Sequence, residues 1–436
     1  MEKMMEQYLK RFEELKKTAN DPSWLLRLRE EAMNAFARKG FPTTRDDAWR
    51  YTDVTVVRET PWGFQRTPSK ISGKTVDALR LKCGHNFLLV VNGKFLREHS
   101  SVGEGFEVTG LQEAIASRPD LVEPHLGRYA LSVDNPFSAL NAGFFTDGLV
   151  IRIPEGVTVK EPIHLVFLAD PSKEQNVFHV RNLIVAGKMS RAAIVETYIG
   201  ECEQSYFTNA VTEIVLEEDA RLEHGKVQRE NGAAFHIAIT QVVQRRGSAF
   251  VSFALSTGAR LMRNDCRVTL TAPGASCEMN GLFLGDKEQV LDHQTFVDHA
   301  APDGKSDQFF KGLLAGNSRG VFRGRVIVRQ DAQRTDAHQT NKNLLLSDTA
   351  KIDAQPQLEI LADDVKCSHG AAVGQLQEDG LFYLRSRGIG EKEAGRILAQ
   401  GFAREVIERS SLSFMKETLL ELVNEKLEQQ FCSGSL

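Results

Sequence analysis

The sequence predicts a mainly β chain whose core is a β-solenoid, a stack of parallel coils, flanked by N-terminal and C-terminal α-helical regions. Three observations carry this. From about residue 146, runs of five to seven largely β-branched residues recur, each followed by a short polar turn with a small residue: "RNLIVAGKMSRAAIVETYIG", "TEIVLEEDARLEHGKVQ", "ITQVVQRRGSAFVSFAL", "CRVTLTAPGASCEMNGLFL". Turn positions near Ala220, Ala249, Ala275, Gly304 and Ala332 lie roughly 26 to 29 residues apart, within the period range of stacked-repeat folds. No ten-residue helical pattern interrupts the stretch, which argues against βαβ units and a Rossmann sheet. A sandwich or barrel is the competing all-β reading. It would pair neighbouring strands as hairpins, usually through tight Asn-Gly or Asp-Gly turns.

In chain order, residues 1–62 form a helical region. Met5, Tyr8, Leu9, Phe12 and Leu15 repeat at helical spacing. A second helix is expected to start with Asp21 as its cap and Pro22 in its first turn, to bury Trp24, Leu28, Met33 and Phe36, and to close at Gly40 and Pro42. "TTRDDAWRYTDV" follows, with Trp49 and Tyr51 as anchors. Residues 63–145 are mixed α/β, with one strand-turn signal at Asn92-Gly93 in "NFLLVVNGKFL". Residues 146–383 are the coil stack, entered by "DGLVIRIPEGVTVKEPIHLVFLAD", where Leu149, Ile151 and Ile153 alternate. Residues 384–436 carry two amphipathic helices. One stripe holds Ala394, Ile397, Leu398, Phe402 and Ile407; the other holds Phe414, Leu419, Leu420, Val423 and Leu427. Two such helices cover little of each other, so the spare apolar face must cap the solenoid end or dock on another protein.

Composition excludes several function classes. A net charge of −4 over 436 residues gives no field for nucleic acid. No apolar run approaches the roughly 20 residues of a spanning helix, and "MEKMMEQYLKRFEELKK" lacks the apolar centre of a signal peptide, so a cytoplasmic chain is expected. There is no GxxxxGK[ST], no GxGxxG after a strand, no GxSxG and no HExxH, so neither nucleotide binding nor these hydrolase chemistries is expected of the chain itself. Of the six cysteines, at 83, 202, 266, 277, 367 and 432, no two form a CxxC. Most are expected to be buried free thiols.

Cys367 is the exception. In "ADDVKCSHG" the alternation of a strand puts Asp363, Val365, Cys367 and His369 on one side and Asp364, Lys366 and Ser368 on the other. A thiol and an imidazole about 7 Å apart make half of a soft-metal shell, and the missing ligands must come from elsewhere in the chain or from a second subunit. Core packing of the same pair is the plainer reading. His293 and His299 beside Asp292 and Asp298, and Asp336 with His338, read as stacked polar side chains hydrogen-bonded to their neighbours.

"DAQPQLEILADDVKCSHGAAVG" (353–374) resembles the signature near the end of the SufB/SufD core. "RDDAWRYTD", "DGLVIRIPEGVTVKEPIHLVF", "QTNKNLLLSDTAKID" and "YLRSRGIGEKEA" resemble the same family, in order along nearly the whole chain. Within the family the chain is similar to the shorter SufD branch, lacking the N-terminal cysteine motifs often seen in SufB. The resemblance implies a right-handed parallel β-helix and a non-enzymatic scaffold subunit for nascent iron–sulfur clusters. It implies pairing with SufB through the β-helix core, self-pairing of the isolated chain being left open, and docking of the SufC ATPase on the C-terminal helices from Arg385 onward. It also implies that His369 shares a nascent cluster site at the SufB–SufD interface, with Cys367 beside it. No cofactor is expected on the isolated chain; the cluster is held transiently in the assembled complex. No membrane or nucleic-acid partner is expected. The rival on the same architecture is a β-helix polysaccharide lyase or hydrolase, disfavoured by the absence of tryptophan after Trp62 and of a secretion signal.

Overall fold

The structure, a computed structural model, describes residues 2–64, 86–130, 135–170, 175–200, 203–410 and 412–432, together with Val76 and Leu79. Cys83 and Cys202, and the side chain of Cys432, lie outside the described residues. From Leu149 to Gln375 the strands alternate strictly between two sheets, one strand to each sheet per coil. They build a ten-stranded and a nine-stranded sheet whose coil strands are all parallel. The expected solenoid is therefore present, and the sandwich reading falls away because no two successive core strands pair as a hairpin. The antiparallel pairs lie at the N-terminal end. One of them is the predicted hairpin, Asn86–Val91 with Lys94–Phe95, turning at Asn92 and Gly93, both in the left-handed region that a tight two-residue turn requires.

What stacks the coils is a repeated corner. Met189, Asp219, Gly247, Gly274, Asp303 and Arg334 all adopt positive φ, between 55° and 73°. Each donates its backbone N–H to a carbonyl of the next coil, at 2.6–3.2 Å. The residue that follows is buried and small at each of these six corners: Ser190, Ala220, Ser248, Ala275, Gly304 and Thr335; at the first corner Gly156 (φ 71°) is followed by the larger Val157. Of the positions that mark the period in the sequence, Ala220, Ala275 and Gly304 occupy this corner. Ser248 and Thr335 replace Ala249 and Ala332 there, which corrects the phase of two turns. At Gly304 a Cβ would meet Nδ1 of His299 at 2.5 Å, so glycine is required.

Between the sheets lies one continuous apolar cluster containing Leu149, Ile151, Ile153, Ile163, Ile194, Leu222, Phe250, Val268, Val297 and Phe322, together with the thiols Cys266 and Cys277. Burial pushes the Cys266 thiol up to about 12, and raises Cys277 further. Beside this cluster run paired polar groups. Glu196 accepts from Tyr198 at 2.9 Å and lies 3.3 Å from His224. Lys226 donates to Asn264 at 3.0 Å, and His236 lies 2.7 Å from Glu230.

Helices cover the outer faces. α1 (Glu2–Thr18), α2 (Ser23–Lys39) and α3 (Pro136–Phe144) pack with Trp49 and Trp62 over Val177, Phe207, Phe235 and Leu261 of the nine-stranded sheet. The N-terminus of α2 departs from expectation. Pro22 holds the cap position with no side-chain cap, and Asp21 instead accepts from Arg29 at 2.8 Å. That guanidinium also reaches three carbonyls at the end of α3, a demand for negative partners that outcompetes capping. The "RDDAWRYTD" segment is a strap. Trp49 lies under Arg263 (3.8 Å), Arg263 binds Asp292 and the carbonyl of Ala48, and Thr52 donates to Asp292 at 2.6 Å.

At the other end, α4 (Glu378–Ser386) begins before the expected return of helix at 384. It leads to α5 (Glu391–Arg409) and α6 (Lys416–Cys432). α5 and α6 do not cap the solenoid end. Val406, Ile407, Leu419, Val423 and Leu427 lie on Phe253, Leu255, Leu282, Leu284 and Phe309, the outer face of the ten-stranded sheet. Lys311, fully enclosed, donates to the carbonyl of Phe402 at 2.8 Å and pairs with Glu405. No described helix is long and apolar enough to cross a membrane.

His293 stacks on Phe283 (5.2 Å), and its Nε2 has no hydrogen-bond partner among the described residues. Burial pulls it down to about 3, as it does His179, and His299 to about 4. Their folded values lie below the unfolded value near 6.5, so the stability they confer is complete above pH ~6.5 and lost as pH falls toward 3–4. His293→Phe is expected to leave the urea midpoint unchanged at pH 8 and to flatten its decline between pH 6.5 and 4. The change in slope approaches one proton, about 1.4 kcal/mol per pH unit. An unchanged slope would show that His293 does not resist protonation.

Candidate functional site

The last coil differs from every other because nothing stacks on it. Its strands, Lys351–Ile360 and Val365–Gln375, are each the outermost of their sheet. Val365–Gln375 pairs in parallel with Thr335–Leu345, setting Cys367 against Ala337 and His369 against Gln339. Ala337 and Gln339 are buried, on the side facing the coil interior. Val365 and Cys367 pack against the interior cluster from that side. By alternation His369 shares it, as the sequence predicts. The outcome differs from a surface-facing pair in one respect: the shared side looks into the solenoid. With no further coil above, that interior opens to solvent. Cys367 is half-buried and His369 exposed. Burial raises the Cys367 thiol from its ordinary range.

Ser368 projects from the opposite side, with Nδ1 of His338 at 2.6 Å from its Oγ and Nε2 of the same ring 2.9 Å from Asp336. His338 is thus held between Asp336 and the last strand. His293 and His299 fall on one strand and one inward side without meeting a common ligand: His299 Nε2 lies 2.9 Å from Ser306. Asp292 belongs to Arg263 and Asp298 to Arg329. Among the described residues no three His, Cys, Asp or Glu side chains are grouped to hold a metal ion. Cys367 and His369 are therefore at most a partial ligand set on this chain.

Two features of this end were not read from the sequence. The first is the edge itself. An unpaired strand normally carries charge, a proline or a bulge that prevents further pairing. The strand Lys351–Ile360 has Pro356 and the charges of Lys351, Asp353 and Glu359. The strand Val365–Gln375 carries instead the run Gly370-Ala371-Ala372-Val373-Gly374, small and exposed. The small-residue run was visible, but its meaning depends on knowing which coil is last. The second is α4, which buries none of its residues and presents Phe382 and Tyr383 at 75% and 58% exposure. Adjacent aromatics in "GLFYLRSRG" were the available signal.

Comparison with known proteins gives two family matches that between them span most of the chain. Residues 2–165 match the SufBD protein N-terminal region, and residues 167–402 match the core domain described as SUF system FeS cluster assembly, SufBD core domain. The chain belongs to the SufBD family. A SufBD family protein of Synechocystis, named for iron–sulfur cluster assembly, is 30% identical over 418 residues, covering 93% of this chain and 92% of the relative. The chloroplastic protein ABCI7 of Arabidopsis thaliana is 31% identical over 401 residues, 88% of this chain and 82% of that one. The iron–sulfur cluster assembly protein SufD of Escherichia coli is 28% identical over 402 residues, 91% and 92% respectively. The resemblance drawn from five short motifs therefore extends along the chain. This is a SufBD-type protein of the iron–sulfur cluster assembly system, and the lyase reading is not favoured.

Accessibility at this site is directly measurable. In the native chain iodoacetamide is expected to modify Cys367 while Cys266 and Cys277, buried and with raised pKa, stay unmodified until urea is added. Peptide mass mapping reads the order. Equal labelling of all three would mean that the coil interior is open to solvent along its length.

Proposed function

We propose that this chain is the SufD-type scaffold subunit of a cytoplasmic SufBCD assembly, and that it acts without catalysing a reaction itself. Its last coil pairs with SufB, its C-terminal helices dock the SufC ATPase, and His369, with Cys367 beside it, offers a ligand to the cluster built between the subunits. One observation carries the reading: the solenoid ends in an unblocked strand edge with His369 exposed at its mouth. A second β-helix could continue the sheet there and supply the ligands that Cys367 and His369 lack. A neutral imidazole suits iron, and thiolate sulfur from the partner would supply the softer contacts.

The nascent cluster is cargo here, so an incomplete and open ligand set is appropriate: it must hold and then release. Docking of the ATPase is supported by α4, whose exposed Phe382 and Tyr383 lie just before Arg385, where the region expected to carry it begins. If nucleotide-driven closure of the SufC pair shifted α5 and α6, the shift would be powered by the difference in nucleotide affinity between the two arrangements.

Two substitutions separate the parts of this proposal. Val373→Lys places charge on the open edge and is expected to weaken co-purification with SufB by more than about tenfold, or 1.4 kcal/mol. His369→Ala is expected to keep pairing and far-ultraviolet circular dichroism while losing the cluster absorbance that anaerobic reconstitution of the complex produces. Normal cluster maturation by His369→Ala would remove His369 from the site; undiminished pairing by Val373→Lys would remove the edge from the interface.

A further inference from the structure

A groove of about 880 Å³ lies between α6 and the solenoid edge opposite the corner described above. Its floor is three successive turns of the stack. They bring Arg229, then Gly258 and Arg260, then Lys287 to one side. Its wall is α6, where Leu422, Glu425, Lys426 and Gln429 follow at spacings of three, one and three and so share one helical face. Its size is that of a small-ligand site.

The charges in it are unequally used. Glu230 is turned away, accepting from Thr208 at 2.7 Å and Gln228 at 3.0 Å and facing His236 at 2.7 Å. Asp286 is buried and accepts the backbone N–H of Lys287 at 2.7 Å. The four cations, Arg229, Arg260, Lys287 and Lys426, make no ion pair among the described residues. Only two acids of the lining, Glu288 and Glu425, stand exposed against them. Lys426 is the telling group. Its ammonium is half-enclosed between α6 and the coil turns, and its nearest acceptor is the Gln289 amide at a long 3.4 Å. Burial draws its pKa down, with Asp286 opposing from a distance. Withdrawing an ammonium from water without a close counter-charge is unfavourable, and two other enclosed cations of this chain have one: Lys311 has Glu405 and Arg263 has Asp292.

We propose that this groove binds a small multivalent oxyanion, carrying phosphate or carboxylate groups, between Lys426 of α6 and Arg229 and Arg260 of the coil turns. Two guanidiniums give planar two-point contacts to such groups, and the half-enclosed ammonium gives the strongest electrostatic gain on binding. The bound anion would tie α6 to two successive coil turns at once. The site is independent of the pairing and cluster sites proposed above.

The test uses the full chain and titration calorimetry with inorganic pyrophosphate and, separately, citrate, at 50 mM and 200 mM salt. Binding of either at micromolar to sub-millimolar concentration, weakening as salt rises, is expected, and the preferred one identifies the source of the oxyanion. Arg260→Ala, an exposed position that does not endanger folding, and Lys426→Met are each expected to weaken binding at least tenfold. Glu425→Gln should leave it equal or tighter. Amide exchange in α6 should slow in the presence of the bound probe. Absence of binding by both probes up to 5 mM would overturn the proposal, as would binding that Arg260→Ala leaves unchanged.

Discussion

Everything in this molecule depends on one repeated hydrogen bond, from the left-handed corner residue of each coil to a carbonyl of the next. Because Met189, Asp219, Gly247, Gly274, Asp303 and Arg334 all donate forward in this way, each coil is placed in register on its predecessor. A strand that slipped by one residue would exchange its inward and outward side chains. The corner therefore decides what faces the interior. At six of the corners the residue that follows is small and buried. Positive φ costs a residue with a Cβ roughly 1–2 kcal/mol. With Gly156 of the first coil, aspartate and glycine hold five of the seven corner positions, which is how the chain keeps that cost low.

The same constraint decided what could be read from the sequence. Coil length and strand alternation are local, so the solenoid and the shared side of Cys367 and His369 were legible. Two turns were placed out of phase because Ala249 and Ala332 lie near corners filled by Ser248 and Thr335. Nothing local distinguishes a small residue inside the bend from one beside it. Asp21 precedes a helix and looks like its cap, but its partner Arg29 is held by carbonyls more than a hundred residues away. Trp49 was legible as an anchor, whereas Arg263 over its ring was not. The stripes of α5 and α6 announced buried faces without saying which surface would bury them.

The polar groups inside the stack follow a different logic from the apolar cluster beside them. Each buried charge has a partner on a neighbouring strand or in the facing sheet: Glu196 with His224, Glu230 with His236, Lys226 with Asn264. Such pairs add little net stability once desolvation is counted, but breaking one leaves an uncompensated charge. A coil set in the wrong register would break several at once. Apolar side chains would tolerate the slip far better, so the pairs supply specificity where the cluster supplies stability.

The two flanks of the stack are closed and one end is not, and that asymmetry bears on the site. α1, α2 and α3 cover one outer face and α5 with α6 the other, while the last coil offers a partner extended backbone contact. There the two edges are unlike. Pro356 and its charged neighbours deny hydrogen bonding to one, while Gly370 to Gly374 leave the other unguarded. An exposed edge of this kind invites indiscriminate pairing unless something specific occupies it. His369 projects from the same strand, one residue before the unguarded run begins. The strand that would accept a partner is therefore the strand that holds the imidazole, so seating the partner and completing a coordination sphere would be one event.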